Sequence, residues 1–358
     1  MVRLKVALDV QAARRSGMTG HGYYIQGLLD GLRSVEDVQV IELAPAENTD
    51  LNSIGRYFWD QLHLPSLARR AGADVLHSTC FSVPRRFKGG KVATIHDLSL
   101  RLFPQNMRGF SGWFLRSFVP STYGRADHII AISQATKTDA VRLLGLGEDR
   151  VTVVHEAASS FYTPAPLKER RAAVDQFGLT EGRFILFVGT IEPRKNLAFL
   201  VRSLAPLLRK EPDLRLVIAG KPGWQAEDVK AEVAASSLEG KVIFTGYIDD
   251  VQKRALYSCA GIFCFPSLYE GFGLPPLEAA SCGSAVAVAD NSSLPEVVGD
   301  AGLVLALEEG AWMRACERVL SDSSYRAGLA ERALARAGTF SWEKTARETA
   351  AVYRKALA

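Results

Sequence analysis

Short β-rich runs alternate with helix-spaced runs along the whole chain, in two successive blocks. In the first block the strand candidates are Leu4–Val10, Val38–Leu43, Val75–His77, Val92–His96, His128–Ile132 and Val151–His155. The second offers Phe184–Gly189, Leu214–Ala219, Val242–Thr245, Gly261–Pro266, Ala285–Ala289 and Gly302–Leu305. Between them apolar residues recur at helical spacing, as in Tyr24, Leu28, Leu29 and Leu32, or Leu197, Leu200, Val201, Leu204, Leu207 and Leu208. This alternation implies an α/β chain with two doubly wound parallel sheets. Length agrees, since 358 residues exceed one ordinary core and suit two. The prolines of Phe161-Tyr162-Thr163-Pro164-Ala165-Pro166 mark the expected linker. Ligands of such sheets bind at the carboxyl ends of the strands, so the cleft between two such ends is the expected site.

Other classes fall away on composition. With 47% apolar and 23% charged residues the chain is not wholly disordered. Its longest apolar runs, Phe184–Val188 and Ala260–Phe265, fall far short of the roughly 20 residues of a membrane span. Lys5 and Asp9 interrupt the first apolar run, which therefore reads as a strand rather than a signal peptide. The five cysteines form no CxxC pair, pointing to a reducing, cytoplasmic compartment and away from structural zinc. All six histidines precede residue 156, which excludes a His-rich metal site in the second half.

The net charge of +4 lies wholly in residues 1–165, with 19 Lys/Arg against 15 Asp/Glu. Residues 85–142 hold ten basic residues, Arg108 and Arg116 among them, against Asp97, Asp127 and Asp139. Aromatic residues such as Trp113 and Phe114 interleave with them. Such a stretch suits an anionic partner: a phospholipid leaflet, a lipid diphosphate or nucleic acid. The plainer alternative is a solvated basic face whose aromatic residues turn into the core.

Four motifs carry chemistry. The first is Pro266-Ser267-Leu268-Tyr269-Glu270-Gly271-Phe272-Gly273-Leu274-Pro275-Pro276-Leu277-Glu278-Ala279, which leaves an apolar strand. Gly271 and Gly273 let backbone approach a ligand, and Pro275 or Pro276 suits the first turn of a helix ending at Gly283. The N–H groups of that helix start suit phosphate. Glu270 and Glu278 suggest a glycosidase pair, but acceptors for sugar hydroxyls fit better beside an anion-seeking helix start. The second motif, Val188-Gly189-Thr190-Ile191-Glu192-Pro193-Arg194-Lys195-Asn196-Leu197, puts two adjacent cations at a strand-to-helix turn, where they would neutralise a diphosphate. In the third, Gly17-Met18-Thr19-Gly20-His21-Gly22 reads as a flexible loop before a helix, with the glycine spacing of a dinucleotide fingerprint reversed. The fourth is His96-Asp97, at the end of a strand, well placed to bind a substrate.

Together the Glu270–Glu278 motif, the Val188–Leu197 run, His96-Asp97-Leu98, Asn291–Val297 and Phe340-Ser341-Trp342-Glu343 resemble the retaining family 4 glycosyltransferases. The likeness is greatest to the bacterial mannosyltransferase branch that builds O-antigen and other surface polysaccharides. It implies the GT-B fold: an acceptor-binding domain over 1–165, a nucleotide-sugar domain over 166–340, and a last helix over 341–358 crossing back to the first. By motif, Glu270 binds donor-sugar hydroxyls, with the Phe272, Gly273 and Leu274 backbone at its hydroxyls or phosphate. Glu278 binds the ribose, and Arg194 and Lys195 the diphosphate. His96 lies near the sugar, Gly20, His21 and Gly22 approach the phosphates, and Lys221 and Ile248 flank the base. Many relatives carry a basic residue where this chain has Thr190, which leaves Arg194 and Lys195 more of the phosphate contact.

The resemblance further implies a hexosyl transfer with retention, GDP-mannose as donor and a lipid-linked or polysaccharide acceptor. No cofactor, metal or nucleic acid is expected, since no Asp-x-Asp motif occurs and protein cations replace a metal. Peripheral docking on the inner face of the cell membrane would use Arg108, Trp113, Phe114 and Arg116. Alternatives stay open: a UDP- or dTDP-sugar donor, a sugar-nucleotide epimerase, or a non-catalytic nucleotide-sugar-binding, membrane-docking protein. Retention of both Glu270 and Lys195 favours catalysis over the last.

Overall fold

The computed structural model describes residues 3–14, 20–45, 51–104, 109–224 and 226–358. They fall into two compact units, Met1–Ala157 with Phe340–Ala358, and Ala158–Thr339. In the first, β1 (Leu4–Asp9), β2 (Val38–Leu43), β3 (Val75–Ser78), β4 (Gly90–Ile95), β5 (His128–Ala131) and β6 (Val151–Val153) stand in the order β2-β1-β3-β4-β5-β6. In the second, β7 (Phe184–Val188), β8 (Arg215–Ala219), β9 (Val242–Gly246), β10 (Ile262–Phe265), β11 (Val286–Ala289) and β12 (Leu303–Leu305) stand as β12-β11-β10-β7-β8-β9. Every pairing is parallel. All twelve expected strands are present, with ends within two residues of the sequence reading.

The central strands read as continuous apolar runs because helices cover both faces. Phe184, Ile185, Leu186, Phe187 and Val188 of β7 are all buried, as are Ile262, Phe263, Cys264 and Phe265 of β10. Helix Leu197–Lys210 lays its Leu197, Leu200, Val201, Leu204, Leu207 and Leu208 stripe inward, as its spacing predicts. In each sheet the chain begins on an inner strand, one from the edge in the first sheet and near the middle in the second, and winds outward both ways. The order therefore reverses between β1 and β3, and between β7 and β10. Loops that follow the two strands at a reversal leave toward opposite faces, opening a crevice at the carboxyl ends.

The last helix, Trp342–Lys355, packs on helix Gly20–Leu32 of the first unit. Two glycines permit this approach. A Cβ on Gly27 would lie 2.1 Å from Trp342 Cε2, and one on Gly31 2.3 Å from the Trp342 carbonyl oxygen. Farther along, the Tyr353 hydroxyl meets His77 Nδ1 at 2.8 Å, and His77 Nε2 lies 2.8 Å from Thr94 Oγ1. Burial, with His96 nearby, pushes His77 down to about 3, so its ring is neutral and serves as a polar link between helix and sheet. The Phe161–Pro166 stretch packs within the second unit, where the Tyr162 hydroxyl donates to Asp250 at 2.8 Å and the Ala165 N–H to Ser258 Oγ at 2.9 Å.

One local expectation needs correction. Gly20, His21 and Gly22 are not loop residues but the first turn of helix Gly20–Leu32, because the apolar face that starts at Tyr24 carries the helix one turn upstream. Gly17, Met18 and Thr19 lie outside the described residues.

The Gly27–Trp342 contact makes a clear prediction. Gly27→Ala forces overpacking and should lower the unfolding free energy by about 1–3 kcal/mol in denaturant titrations. Gly240→Ala, where an added Cβ meets nothing within 4 Å, should shift it by less than about 0.5 kcal/mol.

Candidate active site

The reversal in the second unit brings the loops after β7 and β10 together. The ends of β7 and β8 approach so closely that a Cβ on Gly220, whose φ is 146°, would stand 2.0 Å from the Gly189 carbonyl oxygen. Only glycine fits there. Beyond Gly189 the exposed Thr190 leads to Ile191, which bridges to Pro222, and then to the single turn Pro193–Lys195. The loop after β10 runs from Pro266 to Gly273, whose φ of 123° starts helix Leu274–Ser281. Helix and glycine stop both match the sequence reading, with Gly283 at φ 77°. The Leu268 N–H donates to the Arg194 carbonyl at 2.8 Å, pinning one loop to the other.

Glu270 sits at their junction, 8% exposed. Its Oε1 accepts from Lys195 Nζ at 2.6 Å, and its Oε2 lies 2.8 Å from Arg194 Nη1. Arg194 also reaches Glu192 at 2.7 Å. Burial opposes the Glu270 charge, but the Lys195 ammonium and Arg194 guanidinium outweigh it and hold the carboxyl below the usual range. The Lys195 stem is buried, with Nζ 4.9 Å from the centre of the Phe265 ring. Ser292 Oγ accepts the Glu270 N–H at 2.8 Å, and Ser293 Oγ donates to the Glu270 and Phe272 carbonyls at 3.0 and 2.6 Å. The loop is thus braced through its backbone, which leaves the carboxylate to the cations.

Glu278 lies one turn into its helix and is also buried. The Tyr257 hydroxyl donates to its Oε2 at 3.0 Å, and Lys253 Nζ stands 3.2 Å from the same oxygen. Here burial outweighs Lys253 and Tyr257, so the Glu278 carboxyl is raised above the usual range. The two carboxyls are driven in opposite directions by their surroundings. At the ends of β8 and β9, Lys221 Nζ lies 4.8 Å from the centre of the exposed Tyr247 ring, beside the buried Ile248. Lys253, Tyr257, Ser292, Ser293 and Tyr247 complete the neighbourhood. Sequence reasoning gave the first four no role, although Lys253 and Tyr257 stand four apart on one helix face.

In the first unit His96 directly follows β4. Its Nε2 lies 2.9 Å from the Thr79 carbonyl and its Nδ1 3.3 Å from Glu156 Oε1, so both ring nitrogens face oxygens of the protein. The His21 ring packs on it with centres 4.5 Å apart. Both line a cavity of about 210 Å³ with Asp97, Arg101 and Arg116. Glu156 was not singled out by sequence. The basic-aromatic stretch divides: Trp113 is 48% exposed, but Phe114 is 2% exposed and belongs to the core against Ile95, Val119 and Ile129. Phe114 is therefore not a surface contact. Phe114 opens the helical segment Phe114–Phe118 with its ring inward, while Phe110, 57% exposed, stands beside Trp113 instead. Arg116 is half-buried, and Arg108 lies outside the described residues.

Two units, each built on a parallel six-stranded sheet, are the architecture of a GT-B protein. Comparison with known proteins agrees. Residues 169–336 match the family Glycosyl transferases group 1, and residues 14–158 match Glycosyltransferase Family 4. O-antigen chain mannosyltransferase B of Escherichia coli is 33% identical over 283 residues, 78% of this chain and 74% of that protein. The serotype-specific mannosyltransferase WbdA of Escherichia coli is 31% identical over 264 residues, 71% of this chain, which spans about a third (32%) of WbdA's length. Sucrose-phosphate synthase of Thermosynechococcus elongatus shares the fold, with a TM-score of 0.77 over 99% of both chains at 19% identity. The chain belongs to the family 4, group 1 glycosyltransferases.

The buried Glu270–Lys195 pair predicts a stability signature. Lys195→Met leaves Glu270 without its nearest counter-charge and should lower the unfolding free energy by roughly 3 kcal/mol. Because the folded-state value of Glu270 is depressed, its contribution is present above the ordinary carboxylate range and fades as pH falls through the folded value. Denaturant unfolding across acidic pH should show this slope in the parent chain and a reduced slope in Glu270→Gln.

Proposed function

We propose that this glycosyltransferase moves mannose from GDP-mannose onto a lipid-linked or polysaccharide acceptor of a bacterial surface glycan, with retention at the anomeric carbon. The observation that carries the reading is Glu270 held ionised between Lys195 and Arg194 at the β7–β10 reversal. An ionised carboxylate accepts hydrogen bonds from sugar hydroxyls, and two cations beside it meet a diphosphate. The named activities of O-antigen chain mannosyltransferase B and WbdA support mannose and a surface-glycan acceptor.

In this mechanism the bond from the anomeric carbon to the diphosphate oxygen breaks, and its electron pair stays on the nucleoside diphosphate. Lys195 and Arg194 stabilise the charge growing there, which protein cations do without a metal. The acceptor oxygen bonds to the anomeric carbon on the face the phosphate leaves, and a phosphate oxygen takes its proton. That transfer needs no tuned general base. Glu270 orients the hexose, the backbone of Phe272, Gly273 and Leu274 follows its hydroxyls or phosphate, and Glu278 with Lys253 and Tyr257 receives the ribose. Lys221, Tyr247 and Ile248 flank the base, and Thr190 leaves phosphate contact to Arg194 and Lys195.

Among the described residues no helix is long and apolar enough to cross a membrane. Peripheral docking of the first unit on an anionic bilayer is part of the proposal. Phe110 and Trp113 take the place of Phe114, and exposed Tyr57, Phe58 and Leu62 add apolar surface. Tyr57 lies 5.3 Å from Phe118, and Ser53 donates to Ser111 at 3.0 Å, so the two segments are neighbours. Sedimentation with anionic vesicles should show salt-sensitive binding that Phe110→Ser/Trp113→Ser weakens about tenfold or more, since each buried aromatic contributes about 1.5–3 kcal/mol. Unchanged binding in that variant, or equal recovery with neutral vesicles, contradicts the docking surface.

The donor is tested by stability and turnover together. GDP-mannose at one hundred times its Kd should stabilise the chain by about 2.7 kcal/mol and support transfer with retained anomeric configuration by NMR. Stabilisation and turnover with UDP- or dTDP-sugars alone would overturn GDP-mannose. Conversion of the donor sugar without an acceptor would indicate an epimerase, and binding without nucleotide release a non-catalytic protein.

A further inference from the structure

We propose that Glu192 is a positioning residue of the transfer reaction: its carboxylate fixes the Arg194 guanidinium, and through it the loop that carries Glu270. The inference rests on the glycosyltransferase reading above and adds to it the residue that keeps the donor cluster in register.

Arg194 clasps three consecutive residues of the loop after β10. Its carbonyl accepts the Leu268 N–H at 2.8 Å, its Nη1 donates to the Tyr269 carbonyl at 2.5 Å, and the same nitrogen lies 2.8 Å from Glu270 Oε2. The first bond is set by the backbone of the turn, but the other two depend on where a long side chain points. Glu192 settles that direction, because its Oε1 accepts from Arg194 Nη2 at 2.7 Å. A guanidinium is a rigid planar fork, so holding one terminal nitrogen also aims the other.

The local backbone makes this contact possible. Glu192 is extended, at φ −139° and ψ 156°, immediately before the turn Pro193–Lys195, and its side chain makes no capping bond to that turn. Within a helix, residues two apart do not face each other, but the extended Glu192 brings its carboxylate to Arg194 all the same. Its carbonyl meanwhile accepts the Lys195 N–H at 2.9 Å. One residue thus serves both cations, Lys195 by its carbonyl and Arg194 by its carboxylate. Charges alternate from rim to interior, with the side chains of Glu192, Arg194, Glu270 and Lys195 exposed by 21, 16, 10 and 9%. Glu192 is therefore the anchor on the solvent side. An ion pair near the surface adds little to stability, so its contribution falls on orientation more than on folding.

Glu192→Ala and Glu192→Gln in the whole chain test this. Glutamine loses the charge but keeps an oxygen that accepts from Nη2, whereas alanine loses both. With GDP-mannose as donor, Glu192→Ala should lower kcat/KM at least about tenfold, mostly in kcat, because a displaced Glu270 misaligns the hexose. Glu192→Gln should stay within about threefold of the parent, and GDP affinity by calorimetry within about threefold in both variants, since orientation rather than charge is at stake. A second arm needs no donor. Both variants lack the Glu192 carboxyl, and Lys195, which also faces Glu270, is the same in both, so their difference in unfolding free energy across acidic pH reads the Arg194 hold on Glu270. The stability that the depressed Glu270 supplies, present above the ordinary carboxylate range and lost as pH falls, should be smaller in Glu192→Ala than in Glu192→Gln. Near-parent turnover in the alanine variant, equal damage from glutamine and alanine, or identical pH slopes overturn the assignment. So does GDP bound roughly tenfold more tightly in either variant, which would make Glu192 a charge that repels the diphosphate. Absence of GDP-mannose turnover in the parent chain would instead strike the donor reading and leave the unfolding comparison to decide the role of Glu192.

Discussion

A carboxylate removed from water stays ionised only if cations replace the water, and Glu270 is held in that way by Lys195 and Arg194. Much of the second unit is arranged to make that placement possible. The cations come from the turn after β7 and the carboxylate from the loop after β10, strands adjacent in space but separated in sequence by two further strands and their helices. Strand order brings them together. Gly220 lets the β8 end close against Gly189, and Ser292 and Ser293 fix the backbone on which Glu270 rides.

The same geometry explains why two carboxylates in one motif differ. Glu270 faces two cations and is depressed, whereas Glu278, equally buried, faces one cation, Lys253, and a Tyr257 hydroxyl and is raised. A hydrogen-bond acceptor that stays charged suits polyhydroxyl recognition. A carboxyl whose desolvation is only partly offset favours a neutral diol partner such as a ribose. A depressed and a raised carboxyl would also suit a glycosidase pair, and it is the glycosyltransferase family match that sets that reading aside.

Strand positions were legible because buried parallel strands are short continuous apolar runs, and β7 and β10 stand out on that ground alone. The Glu270 and Arg194–Lys195 motifs were legible because glycine and proline punctuate them. Other features depended on contacts that no local pattern encodes. Phe114 and Trp113 are adjacent aromatic residues, and only packing against Ile95 and Ile129 decides which one is buried. Glu156 meets His96 across sixty residues of chain, and Lys253 meets Glu278 across twenty-five. The first turn at Gly20–Gly22 looked like loop because its glycines mask a helix whose apolar face starts only at Tyr24.

The central claim is that Lys195 and Glu270 act as one unit on the donor. A double-mutant cycle on kcat/KM for GDP-mannose, with Lys195→Ala, Glu270→Gln and the double variant, tests it most directly. Removing the cation should cost on the order of 2.7–4 kcal/mol of transition-state stabilisation. If the pair acts together, the double variant should be little worse than the worse single one, with a coupling energy of at least roughly 1 kcal/mol. Strictly additive losses, or near-normal turnover in Lys195→Ala, would contradict the account.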